Sequence, residues 1–367
     1  MNAPSPIARA GLIDVFRSRR VLVTGHTGFK GSWLVTWLNQ LGAKVTGLAL
    51  PTDSGSLFDR CGLDQRLAHR IGDIRSLEVV RKVVDEAQPE IVFHLAAQPL
   101  VRRSFADPLE TITTNVTGTA HVLEAIRLRN APCAVVVVTS DKCYEAATDG
   151  HAHLETDPMG GHDPYSMSKG AAELVCASYR HSFFAREPSQ VLLATARAGN
   201  CIGGGDVSVD RLVVDAVKAF TAGKPVELRN PSYIRPWQHV VDPLYGYLML
   251  AARLLGGKGA SEFADAFNFG PPAADAATVK VVVELLIENW GEGAKWVDVS
   301  GQAKPPENPL LMLNTRKAQS TLGWLPKLTL IDAVEWTVEW YRAANEGKDM
   351  LATTRRQLEQ FMERLPS

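Results

Sequence analysis

Arg20-Val21-Leu22-Val23-Thr24-Gly25-His26-Thr27-Gly28-Phe29-Lys30-Gly31-Ser32-Trp33 is the stretch that decides the fold. An apolar run enters a turn with three glycines, and an apolar-periodic helix pattern follows. This order is typical of dinucleotide-binding proteins, because glycines let the backbone approach a pyrophosphate and the helix N-terminus offers free N–H groups. The spacing is G-x-x-G-x-x-G rather than the commoner G-x-G-x-x-G, and a purely structural glycine turn is the alternative interpretation.

Short apolar runs alternate with helical patterns as far as Arg197. The alternation predicts βαβ units and therefore an α/β fold, a Rossmann-type doubly wound parallel sheet with a smaller C-terminal substrate-binding lobe. The predicted strands are Val21–Thr24, Lys44–Leu48, His69–Ile71, Ile91–Leu95, Val135–Thr139, Gln190–Thr195 and Ala266–Gly270. The predicted helices are Ser32–Leu41, Leu77–Ala87, Thr111–Arg129, Pro164–Phe184, Asp210–Ala222, Val281–Trp290 and one that starts at Ile331.

The predicted domain boundaries follow a change of character after Arg197, where glycine-rich and proline-rich loops become frequent. The predicted parts are an N-terminal arm (1–18), a dinucleotide-binding domain (19–197, rejoined by about 237–271), a substrate lobe (198–236 and 272–350) and a C-terminal tail (351–367).

Composition argues against several classes of protein. The 367 residues are 46% hydrophobic and 22% charged, as in ordinary globular proteins, and the formal net charge is -1. This charge gives no reason to expect nucleic acid or a membrane surface as a partner. No apolar segment approaches the ~20 residues that span a bilayer, and the N-terminal residues lack the apolar core of a signal peptide.

Five cysteines, at positions 61, 133, 143, 176 and 201, are scattered along the chain without C-x-x-C spacing. Neither disulfides nor a zinc site is expected from them, and this usage suits a reducing cytoplasm. We therefore expect no bound metal.

Two stretches further along the chain carry polar groups suited to catalysis. Ser140-Asp141-Lys142 follows the apolar run Ala134–Thr139, so its side chains emerge at a strand's carboxyl end, where open α/β sheets bind ligands. Tyr165-x-x-x-Lys169 puts a phenol and an ammonium on one helix face, and the ammonium favours the phenolate that can act as a base. The alternatives are an exposed Tyr–Lys pair, an aspartate that caps a turn and a solvated lysine.

Taken together, these motifs resemble the extended short-chain dehydrogenase/reductase family, the NAD-dependent epimerases and dehydratases of nucleotide sugars. The resemblance covers roughly residues 19–341, with the motifs in order. The stretches that carry it are Thr24-Gly25-x-x-Gly28-x-x-Gly31, Gly72-Asp73-Ile74-Arg75, His94-Leu95-Ala96-Ala97-Gln98, Ser140-Asp141, Tyr165-x-x-x-Lys169 and Leu322-Gly323-Trp324.

Within that family, four stretches look like the 4,6-dehydratases that act on CDP-D-glucose. They are Gly25–Trp33, Thr139–Tyr144, Asp163–Ser166 and Arg235–Val240. The resemblance implies oxidation of the hexose at C4, elimination of water across C5 and C6, and return of the hydride to C6. The product would be CDP-4-dehydro-6-deoxy-D-glucose, with no net change in NAD.

The resemblance also implies roles in the oxidation step. Tyr165 would be the base at the C4 hydroxyl. Lys169 would lower the pKa of Tyr165 and hydrogen-bond the nicotinamide ribose. Ser140 would hydrogen-bond the reacting oxygen, and Thr139, one position earlier, is its rival.

The elimination step needs an acid at the C6 hydroxyl and a base at the C5 hydrogen. Asp141 fits the acid if burial raises its pKa, and Lys142 fits the base if its pKa falls. Related dehydratases for dTDP-glucose and GDP-mannose carry glutamate at position 142, so Lys142 points to the CDP-glucose group.

The remaining site residues are expected from the same motifs. The expected cofactor-binding residues are Gly25, His26, Thr27, Gly28, Phe29, Lys30, Gly31, Asp73, Ile74, Leu95, Ala96, Ala97, Tyr165 and Lys169. The expected substrate-binding residues are Gln98, Ser140, Asn200 and Arg235. Arg235 suits the diphosphate because a guanidinium binds it bidentately.

The expected cofactor is NAD, although one usual feature of an NAD site is missing. Such sites carry an acid ~20 residues past the glycine turn, to bind the ribose 2′-hydroxyl. Here residues 48–52 contain none, and the first acid is Asp53. Lys30 could favour the 2′-phosphate of NADP. The resemblance argues for NAD, bound with modest affinity, with His26 and Lys30 along its pyrophosphate or ribose.

Other functions compete with this hypothesis. A nucleotide-sugar epimerase or decarboxylase would use Tyr-x-x-x-Lys and NAD without an acid and base at Asp141 and Lys142. A 4,6-dehydratase of another nucleotide hexose is a further alternative, and a non-catalytic NAD-binding protein would not need the Ser–Tyr–Lys set. The resemblance also implies a cytoplasmic homodimer, joined through Thr111–Arg129 and Pro164–Phe184, that serves surface polysaccharide synthesis.

Overall fold

The computed structural model describes residues 6–147, 149–272, 275–291, 293–300 and 311–366. The helices are α1 (Arg9–Phe16), α2 (Phe29–Gln40), α3 (Leu57–Arg60), α4 (Leu77–Ala87), α5 (Val101–Ala106), α6 (Pro108–Ile112), α7 (Gly118–Arg129), α8 (Pro164–Tyr179), α9 (Leu212–Thr221), α10 (Val241–Leu254), α11 (Val279–Trp290), α12 (Leu330–Asn345) and α13 (Met350–Glu363). The strands are β1 (Arg20–Thr24), β2 (Lys44–Ala49), β3 (Ala68–Ile71), β4 (Ile91–His94), β5 (Cys133–Val138), β6 (Val191–Ala198), β7 (Cys201–Ile202), β8 (Val226–Leu228), β9 (Ile234–Arg235), β10 (Gln238–His239), β11 (Ala266–Phe269), β12 (Ala277–Thr278) and β13 (Trp296–Asp298).

Seven parallel strands form the central sheet, in the order β11-β6-β5-β4-β1-β2-β3. Thr24 at the end of β1 pairs with Leu48 of β2 on one side and with His94 of β4 on the other. The strand order reverses at β1, and ligands bind at such a switch point, outside the carboxyl ends of the strands. The prediction of a doubly wound parallel sheet is confirmed.

Helices cover both faces of the sheet, so its central strands are apolar on both sides. Val136 and Val138 of β5 belong to a core shared with α2, α10 and α12. Val135 and Val137, which point the other way, pack with α4, α7 and α8. This two-sided burial explains why β5 reads as a continuous apolar run rather than an alternating one.

One predicted helix is divided into three pieces. The segment predicted as Thr111–Arg129 contains the end of α6, a π-helical turn at Thr113–Thr117, and α7. Asn115 lies in that wide turn, where its amide binds both the N–H and the carbonyl of Gln98 and donates to Ser168 on α8 at 2.8 Å. Such π turns are frequent at functional sites, and this one fixes the segment that follows β4.

The division into domains remains a prediction. One core runs from β1 through α2 and α10 into α12 and α13, and Phe361 of α13 packs on Trp37 of α2 with ring centroids 5.4 Å apart. At the other terminus, residues 1–5 of the expected arm lie outside the described residues, and Phe16 of α1 stacks on Phe93 of β4. Among the described helices, none is long and apolar enough to cross a membrane.

His94 and His239, two of the fully buried histidines, make the fold sensitive to acid. His94 lies between the hydroxyls of Thr24 and Thr119, at 2.7 and 3.0 Å, and His239 lies between the rings of Trp33 and Trp336. Burial lowers the pKa of each imidazole to about 3. Both histidines therefore stay neutral in the folded protein at a pH where they gain a proton in the unfolded chain.

We expect stability to be insensitive to these groups above pH ~6.5 and to fall as the pH drops from ~6.5 towards ~3. Each histidine should contribute a slope of about 1.4 kcal/mol per pH unit to the free energy of unfolding. Urea unfolding of wild type and of His94→Gln at several acidic pH values measures the slope, which should be smaller in the variant by one histidine's share. The exposed His181 serves as control: His181→Gln should leave the slope unchanged, and an unchanged slope in His94→Gln would contradict the prediction.

Candidate active site

The backbone of the glycine turn after β1 packs tightly against itself and against the segment that follows β4. Gly25 has a φ of +73°, and a Cβ there would lie 2.6 Å from the N of Ala96. A Cβ on Gly31 would lie 2.2 Å from the carbonyl oxygen of Gly25. Gly28 caps α2 without a side-chain hydrogen bond, which leaves the first-turn N–H groups of α2 available to an anion. This cradle fits the pyrophosphate of a dinucleotide.

His26 and Lys30 have different neighbours within the protein. His26 is fully buried, with its Nε2 2.6 Å from Nδ1 of His69 on β3, and burial lowers its pKa to about 4. Lys30 lies next to Cys201 and Tyr247. Burial lowers the pKa of Lys30, but these two neighbours and Tyr165 raise it more, so it stays charged.

This placement corrects one expectation about Lys30. A 2′-phosphate would lie beyond the end of β2, whereas the Lys30 ammonium lies near Tyr165 and the end of β6. Lys30 therefore does not favour NADP in the way the sequence alone allowed. The cofactor roles of His26 and Lys30 remain predictions.

The other expected cofactor residues lie around the same end of the sheet. Thr27 donates a hydrogen bond to the carbonyl of Leu50 at 3.1 Å, just past β2. Asp73 follows β3 and forms an ion pair with Arg75 at 2.6 Å, while Ile74 is buried. Leu95, Ala96 and Ala97 follow β4, and Phe29 is half-buried at the start of α2. Their contacts with a cofactor remain predictions.

The segment after β5 forms a short 3₁₀ turn that presents an unpaired carboxylate oxygen. Ser140 Oγ accepts from the N–H of Lys142 at 3.2 Å and donates to Asp141 Oδ1 at 2.8 Å. Asp141 is 2% exposed, and its Oδ2 has no hydrogen-bond partner in the part of the chain that the structure describes. Thr139 donates instead to Glu173 at 2.5 Å, so Ser140 is the hydroxyl that accompanies Asp141.

Tyr165 and Lys169 lie in the first two turns of α8, both buried. Asp163 fixes this helix start by accepting a hydrogen bond from the N–H of Ser166 at 2.9 Å. The structure corrects the expected direction of one pKa: burial raises the pKa of Tyr165, although the neighbouring Ser140 opposes the rise. Burial, and then the charge of Lys30, lower the pKa of Lys169 to about 8.

Positive charge near the Tyr165 phenol comes from residues that the Tyr-x-x-x-Lys pattern does not include. Arg211 and Lys30 both lower the pKa of Tyr165 and partly offset its burial. Arg211 lies just before α9 and Lys30 lies on α2, so both reach the phenol through tertiary packing. Their proximity had no sequence signal.

A buried polar network under the site was also missed by the sequence reasoning. Glu173 accepts from Thr139, from Thr195 at 2.8 Å and from Arg197 at 2.8 Å. Arg197 also donates to the hydroxyl of Tyr144 at 2.7 Å. Arg197 interrupts an otherwise apolar strand, and that irregularity is the signal that could have revealed the network.

Three further residues, Gln98, Asn200 and Arg235, are expected to bind the substrate. The amide of Gln98 is occupied within the protein, by Thr111 at 2.8 Å and by the backbone of Leu100. Asn200, with a φ of +41°, follows the end of β6, and Arg235 lies over the ring of Tyr233 at 5.3 Å. Substrate contacts of these three residues remain predictions.

Gly199, which the sequence reasoning did not select, shapes the Asp141 site. A Cβ on Gly199 would lie 1.8 Å from Asp141 Oδ2, and a real Cβ never approaches an oxygen this closely. The absence of a side chain at the end of β6 is therefore what allows the carboxylate to occupy its position.

Gly199→Ala is expected to displace the Asp141 carboxylate and to lower turnover by about 100-fold, because a shift of ~1 Å in a reacting group costs that much. Overpacking should also lower the free energy of unfolding by about 1–3 kcal/mol. Steady-state kinetics and urea unfolding measure the two effects. Gly11→Ala is the control, since its methyl group would meet only the flexible Ile7 at 3.2 Å; normal turnover in Gly199→Ala would contradict the prediction.

Comparison with known proteins gives a consistent result. The model of the family described as GDP-mannose 4,6 dehydratase matches residues 22–337. CDP-glucose 4,6-dehydratase from Salmonella typhimurium is 46% identical over 353 residues, which cover 95% of this chain and 98% of that protein.

Solved structures of related proteins share the fold. The structure of MoeE5 in complex with UDP-glucuronic acid and NAD superposes with a TM-score of 0.73 at 30% identity, covering 88% of this chain and 99% of that one. UDP-glucose 4-epimerase from Thermus thermophilus, in complex with NAD, gives a TM-score of 0.73 at 25% identity and covers 89% and 99%. The resemblance drawn from the motifs is confirmed, and the chain belongs to the 4,6-dehydratase family of nucleotide-sugar enzymes that the matching model describes.

Proposed function

We propose that this protein is an NAD-dependent hydro-lyase that converts CDP-D-glucose to CDP-4-dehydro-6-deoxy-D-glucose and water. The observation that carries the proposal is the buried Asp141 carboxylate, which presents an unpaired oxygen beside Ser140 and near Tyr165. An epimerase has no use for such a group. The 46% identical relative named CDP-glucose 4,6-dehydratase supports the choice of substrate.

NAD supplies the hydride acceptor and donor that this conversion needs. The turn that would hold its pyrophosphate is built for close backbone approach, since side chains on Gly25 or Gly31 would collide with the backbone. The NAD complexes of the related MoeE5 and epimerase structures support the choice of NAD. Lys169 would hold the nicotinamide ribose.

Different residues of the chain carry out the separate proton transfers of the reaction. Tyr165 takes the proton of the C4 hydroxyl, helped by the positive charges of Lys30 and Arg211, and Ser140 holds the reacting oxygen. Asp141 donates a proton to the departing C6 hydroxyl, and Lys142, half-exposed beside it, removes the C5 hydrogen.

Asn200 and Arg235 would hold the substrate, with the Arg235 guanidinium on the diphosphate. Gln98 would help only if substrate binding releases its amide from Thr111.

The test is to incubate the purified protein with NAD and separately with CDP-glucose, dTDP-glucose, GDP-mannose and UDP-glucose. Loss of one water, measured by mass spectrometry, with CDP-glucose alone is the expected result. Water loss with a different nucleotide sugar would show that the proposed substrate is wrong and the proposed reaction is right. Interconversion of UDP-glucose and UDP-galactose without water loss would overturn the dehydratase proposal in favour of an epimerase.

We also propose that the enzyme is a cytoplasmic homodimer whose product enters surface polysaccharide synthesis. Large apolar side chains are exposed on the two segments expected at the dimer interface, namely Leu128 (46%), Leu174 (61%) and Phe183 (42%). Exposed apolar side chains gathered on neighbouring helices favour association with a second copy. The five free thiols are typical of a reducing compartment. Sedimentation equilibrium measures the assembly.

A further inference from the structure

The loop between β5 and α8 brings two histidines and an aspartate together. Asp157 Oδ2 lies 2.7 Å from His151 Nε2 and 3.1 Å from His153 Nδ1. One potential ligand atom from each of the three residues lies within 4.8 Å of the others. The side chain of His151 is 44% exposed, so the cluster is reachable from solvent, whereas those of His153 (4%) and Asp157 (17%) are largely buried.

Asp157 Oδ2 lies within hydrogen-bond distance of three nitrogen atoms, which is more than one carboxylate oxygen binds well. Asp157 Oδ2 also accepts a hydrogen bond from the N–H of Leu154 at 3.1 Å. A carboxylate oxygen has about two lone-pair positions, so the two imidazoles compete for what Leu154 leaves. A cation between the carboxylate and the two ring nitrogens would replace this competition by shared coordination.

A second carboxylate orients His151. Asp149 Oδ1 lies 2.5 Å from His151 Nδ1, so with a metal in place of the proton on Nε2 the Nδ1–H would donate to Asp149. A histidine that binds a metal through one nitrogen commonly donates the other ring N–H to a carboxylate, which fixes the tautomer. Asp149 therefore supplies the outer contact that a metal ligand needs.

His153 is held rigidly by the surrounding protein. Its N–H donates to the carbonyl of Met312 at 2.9 Å, and its own carbonyl accepts from Asn314 at 2.8 Å and from Asn268 at 2.9 Å. The ring lies parallel to that of Tyr144, with centroids 4.6 Å apart. One ligand of the cluster is thus fixed in advance, close to the turn that carries Asp141.

We propose that His151, His153 and Asp157 bind a divalent transition-metal cation of the zinc class, with water in the remaining position. Two imidazole nitrogens and one carboxylate oxygen suit zinc rather than magnesium or calcium, which prefer oxygen ligands alone. Bonds of ~2.1 Å in a tetrahedral site separate ligand atoms by about 3.4 Å, so Asp157 Oδ2 would move back from the two ring nitrogens, which lie 2.7 and 3.1 Å away. The expectation of no metal rested on the cysteines, which take no part here.

The proposed cation has a structural role. It would tie the loop at His151 and Asp157 to His153, whose ring packs on Tyr144. Tyr144 follows the Asp141 turn directly and donates to Asn268 at 2.7 Å. Binding therefore restrains the loop that leads from the Asp141 turn to α8, and it does not depend on which nucleotide sugar the enzyme uses.

The test measures zinc binding to the full chain without a histidine tag. The protein is stripped with a chelator and dialysed against zinc, and bound metal is counted by mass spectrometry of the elements. We expect about one zinc per chain for wild type, and binding at least ~10-fold weaker for His151→Ala and Asp157→Asn. Asp149→Asn, which changes only the outer contact, should weaken binding by ~10–100-fold.

The control variant is His181→Ala, which removes an exposed histidine outside the cluster and should bind zinc like wild type. Cobalt in place of zinc reports the ligands directly, because thiolate ligands would add a near-ultraviolet charge-transfer band that nitrogen and oxygen ligands lack. A cobalt–thiolate band, or equal zinc binding by wild type and Asp157→Asn, would overturn the proposal.

Discussion

Replacing Tyr165 by phenylalanine is expected to lower kcat for water loss from CDP-glucose by about 10²–10⁴-fold, the usual contribution of a general base. The substitution removes one oxygen and keeps the ring that fills this buried position on α8. Without the phenol, the base that we assign to the C4 hydroxyl is missing, so the first step should be slow. KM should change little because the ring and Lys169 stay in place.

The electrostatics of the site add a pH condition to this prediction. Burial raises the pKa of Tyr165, so the reactive phenolate forms only with help from the nearby Lys30 and Arg211. We expect kcat/KM of the wild type to rise with pH as the phenolate fraction grows. The matched control is Tyr179→Phe on the same helix, whose hydroxyl contacts Glu124 rather than the site. Equal kcat for Tyr165→Phe and Tyr179→Phe would show that Tyr165 is not the base.

The sheet could be predicted from the sequence because local patterns determine it. The apolar run and glycine turn at residues 20–31 define β1 and the start of α2, and the uninterrupted valines at residues 135–138 require a strand buried on both faces. The polar segment after β5 could be placed at the carboxyl edge for the same reason. In parallel sheets, strand ends that follow apolar runs meet at one edge.

Contacts between residues far apart in the chain were not predictable in this way. Gly199 matters only because the end of β6 approaches Asp141, and Lys30 of α2 approaches Tyr165 of α8 only through the tertiary fold. The raised pKa of Tyr165 is likewise a property of burial. The spacing of residues within one helix shows which side chain lies four positions away. It does not show how strongly other helices and strands bury that side chain and so shift its pKa.

Asp141→Asn is expected to separate the two halves of the reaction. Asparagine has nearly the same shape and can accept the hydrogen bond that Ser140 donates to Oδ1, but it has no proton to give to the C6 hydroxyl. Water loss should therefore fall by about 10²–10⁴-fold, whereas oxidation at C4, which depends on Tyr165, should still occur. In a single turnover, NADH absorbance should rise and persist in this variant and stay absent in Tyr165→Phe.

This difference between the two variants is the sharpest test of the division of roles. Asp85→Asn, on the exposed side of α4, controls for the loss of a negative charge and should behave like wild type. If Asp141→Asn lost water at the normal rate, Asp141 would not be the acid for the C6 hydroxyl. If neither variant accumulated NADH, the unpaired Oδ2 of Asp141 would be needed already for the C4 step, since both variants would then stop at the same point.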